Sequence, residues 1–334
     1  MNQVFGPTRR HVVLGMASVL GLGACATGRQ PARIAALFAG KITDQGFMQS
    51  GYEGFEEAKK RLGLEGTYID SIPPVKEPLQ AALRELARSG AGLVVAHGGQ
   101  NNAAAQQVAS EFPDVRFVVT QGNVRGANLS SYEVLQEQSA YLAGALAALT
   151  TRTGVVGHMS GIRVTPGLKG RAAFAAGVAA TDSKVRLLTN FSGNQDDNVL
   201  SRRIALAQMD AGADVIFTML NAGRHGVTEA CRERRARQIG NVVDWTVRDP
   251  SVFIGSAVAN VSKAVFAAFK DYVDGLWQPG VVRQIGLNDQ EAVRLTLSAD
   301  VDSTIRERLN GLREGILAGS IKVPDSYNGP EFSA

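Results

Sequence analysis

Apolar residues along this chain fall into short continuous runs, separated by stretches in which they recur every three or four positions. Residues 34–38, Ile-Ala-Ala-Leu-Phe, form such a run, the pattern of a strand buried on both faces of a parallel sheet. Gly40 ends it, and Lys41-Ile42-Thr43-Asp44-Gln45-Gly46-Phe47 reads as a polar loop. Tyr52, Phe55, Ala58 and Leu62 then keep helical spacing. The alternation continues with strands predicted at 66–70, 92–96 and 116–120. Helices fit at 76–89, where Leu79, Leu83 and Leu86 share one face, at 102–111 and at 135–150. A second run of the same kind begins at Thr153-Gly154. Its strands are predicted at 155–159, 185–191, 214–220 and 238–243, its helices at 168–180, 198–211 and 226–235. A helix at 261–274, short strands at 281–287 and 292–297, and a helix at 302–318 precede an irregular tail. Strands alternating with helices predict an α/β fold whose parallel sheets carry helices on both faces. Two consecutive sets of similar length predict two similar lobes, sized for one ligand between them.

Composition narrows the picture. The 334 residues allow two domains, and 45% apolar with 20% charged residues is the balance of a soluble globular chain. The net charge is only +4 and the basic residues are scattered. Their densest cluster, Arg232-Glu233-Arg234-Arg235-Ala236-Arg237, is interrupted by an acid at a helix end, which marks a solvated face; no nucleic-acid partner is expected. His11, His97, His158 and His225 and the two cysteines, Cys25 and Cys231, lack the spacing of a zinc site, so no metal and no other cofactor is expected.

The first thirty residues read as an address. Arg9 and Arg10 precede an apolar stretch at 11–22 that is too short and glycine-rich for a standard membrane-spanning helix. Leu22-Gly23-Ala24-Cys25 resembles a bacterial lipobox, whose cysteine is lipidated and becomes the mature N-terminus. An ordinary signal peptide with an incidental cysteine is the alternative. Thr8-Arg9-Arg10-His11-Val12-Val13-Leu14 also resembles a twin-arginine export signal. The expectation is a signal peptide at 1–24, lipidation at Cys25 and a tether at 25–31. The rest would then be held on the periplasmic or cell-surface side of a bacterial membrane. Cys231 is left without a partner, as a small buried hydrophobe.

No GxSxG elbow, Walker loop or GxGxxG turn after a strand is present, and catalysis is not expected. Polar and aromatic loops instead follow the predicted strands, where open α/β sheets place their ligands. From the first lobe come Asp44 to Phe47, with Met48 next, then His97-Gly98-Gly99-Gln100-Asn101 and Gln121-Gly122-Asn123. From the second come Ser160-Gly161, Asn221-Ala222-Gly223 and Asp244-Trp245. Such a cleft suits a flat heterocycle stacked on Phe47 or Trp245, with hydroxyls held by Asp44 or Asp244. Structural alternatives stand beside these. Asp44 can cap the following helix while Phe47 packs in the core, and residues 98–101 can form a turn and cap. Trp245, at a strand end, reads as exposed or ligand-facing.

Several of these segments resemble one family in order and spacing. Asp44-Gln45-Gly46-Phe47 with Tyr52-Glu53-Gly54 is similar to a D-x-S/G-F-N-Q…YEG segment. Val108-Ala109-Ser110-Glu111-Phe112-Pro113-Asp114-Val115 is similar to VAxEYPDV, and Gln138 to Gly144 to a GSYLAG helix. Gly212-Ala213-Asp214-Val215-Ile216-Phe217 matches GADVIF closely. Across residues 32–324 the chain resembles the basic membrane protein family of lipoproteins, substrate-binding subunits of ABC importers that often carry purine nucleosides. The resemblance implies a type I periplasmic-binding-protein fold, with two Rossmann-like lobes joined by a hinge of three crossings. The lobes would comprise 32–150 with 258–280 returning, and 151–257 with 281–324. It further implies a base sandwiched by aromatics, Phe47 among them, and a ribose held by the acid at Asp244. The ligand contacts would come from Asp44, Phe47 and Met48, from Gly98, Gly99, Gln100 and Asn101, and from Asn221, Gly223, Asp244 and Trp245.

The chain departs from the family at three places. Met48 replaces the asparagine after the phenylalanine, Ala259 stands where a ribose-holding lysine is usual, and Asn101-Asn102-Ala103 lacks an aspartate. The implied function is a monomeric, lipid-anchored carrier that delivers a purine nucleoside to an ABC permease, or, given these departures, a free nucleobase or another small heterocycle. A sensory or regulatory lipoprotein using the same cleft without transport is the second reading.

Overall fold

The computed structural model describes residues 32–333, so the signal segment 1–24, Cys25 and the tether 25–31 lie outside the described residues. The chain begins with β1 (Arg33–Phe38), α1 (Phe47–Leu62), β2 (Glu65–Ile69), α2 (Lys76–Arg88), β3 (Leu93–His97), α3 (Asn102–Glu111), β4 (Arg116–Thr120) and β5 (Leu129–Val134). Then come α4 (Gln136–Thr150), β6 (Val155–Ser160), α5 (Thr165–Thr181), β7 (Arg186–Phe191), α6 (Asn198–Asp210), β8 (Val215–Met219), α7 (Arg224–Arg234), β9 (Arg237–Val242) and β10 (Phe253–Ala259). The chain closes with α8 (Ser262–Val273), β11 (Val282–Ile285), β12 (Val293–Leu297) and α9 (Ser303–Leu317).

Among the described residues these strands form two six-stranded sheets, ordered β2-β1-β3-β4-β5-β11 and β7-β6-β8-β9-β10-β12. All pairs are parallel except β10 with β12. The five leading strands of each sheet follow the same order, so the two lobes are versions of one topology. In β1 every side chain after Arg33 is buried, as a central parallel strand covered on both faces requires. Helix α1 stops at Gly63 (φ +64°), after Lys59, Lys60 and Arg61 have placed positive charge at its C-terminal end.

The chain crosses between the lobes three times: after β5 at Leu135, after β10 at Asn260, and after β11 through 286–292. Two expected boundaries are thereby corrected. The expected first lobe includes residues 135–150, but α4 packs against α5, β10 and β12 of the second. Glycines allow this close docking: a Cβ on Gly144 would strike the Phe174 carbonyl oxygen, and one on Gly177 the Tyr141 carbonyl oxygen. The expected second lobe includes residues 281–324, but β11 pairs with β5 as the edge of the first sheet. The return segment also behaves as a unit with the first lobe, since α8 lies against α1, β3 and β5.

Two strands have no counterpart in the sequence expectation. β5 reads Leu-Ser-Ser-Tyr-Glu-Val, yet all six residues are buried. Its polar groups find specific partners: Ser131 Oγ donates to the Val124 carbonyl at 2.8 Å, and Tyr132 OH to Asp271 Oδ2 at 2.7 Å. β10 is wholly buried too, but Gly255, Ser256 and Ala257 dilute its apolar signal. The small residue at 255 is needed, because a Cβ there would lie 2.5 Å from Leu146 Cδ2 of α4. Among the described residues no helix is long and apolar enough to cross a membrane.

Candidate functional site

A cavity of about 740 Å³ lies between the lobes, at the C-terminal ends of β1, β6, β8 and β9. This is where open parallel sheets leave room for ligands. Its first-lobe wall is built on the entry to α1. The Asp44 carboxylate is buried and accepts three backbone N–H groups: Gly46 (2.8 Å) and Gln49 (3.0 Å) on Oδ1, Met48 (3.0 Å) on Oδ2. Burial raises the carboxyl above its ordinary value, and these three amides work against that rise. Asp44 therefore caps the helix and lines the cavity at once.

Phe47 is half-buried in the wall, and its ring stacks on His97 with centroids 4.4 Å apart and planes 27° from parallel. His97 is fully buried, with Nε2 3.0 Å from the Phe47 carbonyl oxygen and Nδ1 2.7 Å from Thr120 Oγ1. A carbonyl can only accept, so Nε2 carries the proton and Nδ1 accepts from the Thr120 hydroxyl. The ring is thus held neutral, and burial pushes its pKa down to about 4. Gly51 lets α1 approach it, since a Cβ there would sit 2.5 Å from Nε2. Met48, buried beside Gly40, also lines the cavity.

The other expected residues divide. Gln100 and Asn221 line the cavity; Gly98, Gly99, Asn101, Gly223, Asp244 and Trp245 are not among its walls. Asn101 is turned inward, with Nδ2 donating to the carbonyls of His97 (2.9 Å) and Gly98 (3.0 Å). It braces the loop that carries Gln100. Gly98 supplies the φ of +104° that this loop needs, and Gly99 fits under the Gln121 carbonyl, 2.7 Å from where its Cβ would be. Gly223 N donates to the Gln195 carbonyl at 3.0 Å and so braces the neighbouring loop.

Asp244 Oδ1 accepts from Thr246 N (3.0 Å), Thr246 Oγ1 (2.6 Å) and Thr296 Oγ1 (2.9 Å), which makes it the knot of a turn. Trp245 is a core residue rather than an exposed one, only 7% accessible. Its indole N–H donates to the Asn241 carbonyl at 3.1 Å, and its ring packs on Phe253. The chain leaves β9 at Val242 with φ +67°, a sharp reversal that folds the indole back over Gly240. That reversal leaves Asn241 and Val242 in the cavity wall instead.

Sequence reasoning missed several features of the wall, Ser71, Ile72, Pro73 and Pro74 among them, and one residue just behind it. The loop Asn194-Gln195-Asp196 follows a predicted strand and could have been found by the rule that found the others. Gln136 opens α4 and carries no sequence signal. Asn241 and Val242 were absorbed into the strand. Arg224 stands just behind the wall: it is buried, its guanidinium lies 3.5 Å from the Trp245 ring centroid, and Nη1 donates to the Asn221 carbonyl at 3.3 Å. Burial pushes its pKa down to about 10, while the negative charge of Asp44 on the other lobe works to raise it. The two lobes thus face each other across this point with opposite charges.

At the first crossing Lys169 of α5 bridges Glu133 of β5 (2.5 Å) and Glu137 of α4 (3.1 Å), and Gln284 of β11 donates to Glu133 at 3.0 Å. Both lobes meet in this cluster. His158 of β6 is buried and neutral, with Thr189 Oγ1 at 2.8 Å and Ser160 Oγ at 3.1 Å, and its pKa is pushed down to about 3. Cys231 is buried on α7 with its thiol pushed up to about 12, which makes it inert. Among the described residues no group of three or more His, Cys, Asp or Glu side chains is placed to hold a metal ion.

Comparison with known proteins agrees with this architecture. A family model described as Bmp, ABC transporter substrate-binding protein PnrA-like, matches residues 32–327. The chain is similar to the transcriptional activator protein med of Bacillus subtilis, 21% identical over 277 residues, 83% of this chain and 86% of that protein. It is also similar to basic membrane protein B of Borreliella burgdorferi, 26% identical over 269 residues, 77% of this chain and 79% of that one. A solved solute-binding protein of an ABC transporter system from Aeropyrum pernix K1 superposes with a TM-score of 0.78 at 21% identity, over 88% of this chain and 94% of that one. The two lobes have the type I periplasmic-binding-protein fold. The chain belongs to the Bmp family of ABC transporter substrate-binding proteins.

Proposed function

We propose that this chain is the lipid-anchored substrate-binding subunit of an ABC importer, closing its lobes over a purine nucleoside or related small heterocycle and presenting it to a permease. One observation carries the reading: the cavity is walled by both lobes at the C-terminal ends of their strands. A ligand that fills it touches both lobes, and those contacts favour the closed state. Phe47, fixed from behind by His97, offers a flat apolar face to such a ligand. Anchoring would come from Cys25 through the tether 25–31, on the outer side of a bacterial membrane. A monomer suits a carrier that must show both lobes to its permease.

Thermal-shift measurement on the purified protein with inosine, guanosine and adenosine tests the binding. Ligand at a hundredfold excess over Kd stabilises the folded state by about 2.7 kcal/mol. A rise in Tm with any of these or a related heterocycle is the expected result; no rise across the whole series removes the assignment. Recovery of the bound ligand unchanged and stoichiometric separates a carrier from a hydrolase.

A sensory or regulatory role is the second reading, favoured by the similarity to a protein named as a transcriptional activator. Uptake of radiolabelled ligand by cells lacking the gene separates the two. Lost uptake supports the carrier; unchanged uptake with altered transcription supports the regulator.

A further inference from the structure

The cavity walls differ sharply in which polar groups are already engaged. Of the two lining carboxylates, Asp44 is occupied by three backbone amides. Asp196 is exposed, and its Oδ1 accepts from Ala222 N at 3.1 Å. The lining cation, Lys41, is exposed to solvent. The carboxamides of Gln100, Gln136, Gln195, Asn221 and Asn241 are in the opposite condition. All line the cavity, and among the described residues their side chains make no hydrogen bond to protein. Gln136 is only 5% exposed and Asn241 8%. Gln136 Nε2 and Gln195 Oε1 are buried outright without a partner. Those two atoms are closed off from the cavity, while Gln136 Oε1, Gln195 Nε2 and the carboxamides of Gln100, Asn221 and Asn241 stay open to it without a partner.

We infer that this cleft selects a neutral, planar ligand with a lactam-type edge, a carbonyl or ring-nitrogen acceptor beside an N–H donor, and without a polyol arm: a free nucleobase rather than its nucleoside. This rests on reading the cleft as the solute site. Gln100, Asn221 and Asn241 can each offer a donor and an acceptor, Gln136 its acceptor Oε1 and Gln195 its donor Nε2, and together they complement such an edge. The carboxamides come from the first lobe (Gln100), the crossing (Gln136) and the second lobe (Gln195, Asn221, Asn241), so one ligand edge can engage groups on both sides. A ribose makes different demands. Its vicinal hydroxyls are held best by an ionised acceptor, since charge-assisted bonds are about twice as strong as neutral ones. The buried lining carboxylate is engaged, Asp244 is tied into its own turn away from the walls, and Asp196 lies out in solvent, where its charge is screened and its bond to a hydroxyl competes with water. At the end of β9 the wall carries Val242, which can hold no hydroxyl. Phe47 has one face against His97 and is the sole aromatic ring among the lining residues, a single platform for one small ring system.

Isothermal titration of the purified protein with hypoxanthine and with inosine, which differ only by the ribose, tests this. Hypoxanthine is expected to bind at least tenfold more tightly than inosine. Gln136→Ala is expected to weaken hypoxanthine at least tenfold without lowering Tm, and Gln195→Ala, on a surface loop, supplies the same readout independently. Inosine binding as tightly as hypoxanthine or tighter overturns the inference and leaves the carrier reading intact, as does hypoxanthine binding that neither variant weakens. Binding of D-ribose with neither purine, or of none of the three, overturns the inference and the heterocycle reading together.

Discussion

His97 joins three parts of the first lobe through two hydrogen bonds and a stacked ring. Its proton inventory makes the joint sensitive to pH. The imidazole has an ordinary pKa of 6.5 when unfolded and about 4 in the fold, and His158 falls to about 3. Between these values the unfolded chain binds protons that the folded chain does not. Stability is therefore fully present above about pH 6.5 and declines as pH falls toward 4, by about 1.4 kcal/mol per pH unit for each histidine. Urea unfolding at pH 7.5, 6 and 5 measures this; a flat midpoint across that range would show the rings to be solvated. Thr120→Val removes the hydroxyl that donates to Nδ1 and is expected to cost about 1–3 kcal/mol by the same assay. At this scale Asp44 and Phe47 were legible, as an acid and an aromatic after the first strand. Whether Asp44 capped a helix or met a ligand was not, because the answer depends on three amide directions that no spacing encodes. Trp245 was misread for a related reason. A tryptophan after a strand faces outward or inward according to the turn beneath it, and Val242 sets that turn.

Helix α1 shows what an element needs beyond its apolar face. Gly51 and Gly54 let it lie directly on the His97 ring and on the backbone at Ser262 of α8. Gly51→Ala is expected to destabilise the protein by about 1–3 kcal/mol, because His97 is bonded at both ends and cannot move aside. Ligand affinity should fall with it, since Phe47 rides on the same contact. Gly63→Ala makes the control: the site is open, but φ is +64°, so a cost of about 1 kcal/mol with unchanged affinity is expected. Chemical denaturation and calorimetry on both variants separate the two mechanisms. Hydrophobic periodicity revealed β1, β3, β4 and β8, whose buried runs are nearly all apolar. It passed over β5, because a buried strand that satisfies Ser131 and Tyr132 through side-chain hydrogen bonds has the composition of a loop.

At the scale of the molecule, two lobes could be read from the repeated alternation of strand and helix. Their membership could not. The crossing at Leu135 is as short as a loop within a lobe, and nothing in hydropathy says which sheet the next helix will cover. The cluster of Lys169, Glu133, Glu137 and Gln284 sits where that crossing occurs. Lys169→Met leaves two largely buried carboxylates without their cation, and a loss of roughly 3 kcal/mol is expected from the cost of breaking a buried pair. Glu133→Gln and Glu137→Gln added to Lys169→Met should recover most of it. A Tm series on the single and triple variants checks both statements; an unchanged single variant would mean the cluster is solvated.

Neither lobe is a continuous piece of chain, and this has a consequence for how the protein is made. β5 must wait for β11, and the glycine face of α1 must wait for α8. Ser130 bonds to a carbonyl 148 positions further on. While the nascent chain emerges from the ribosome, its first lobe therefore has an open sheet edge and a bare helix until most of the second lobe has also appeared. Contacts of such long range slow folding and leave apolar surface uncovered meanwhile. A chaperone that binds exposed apolar surface meets this chain still open, and both halves close almost together once the last third has been synthesised.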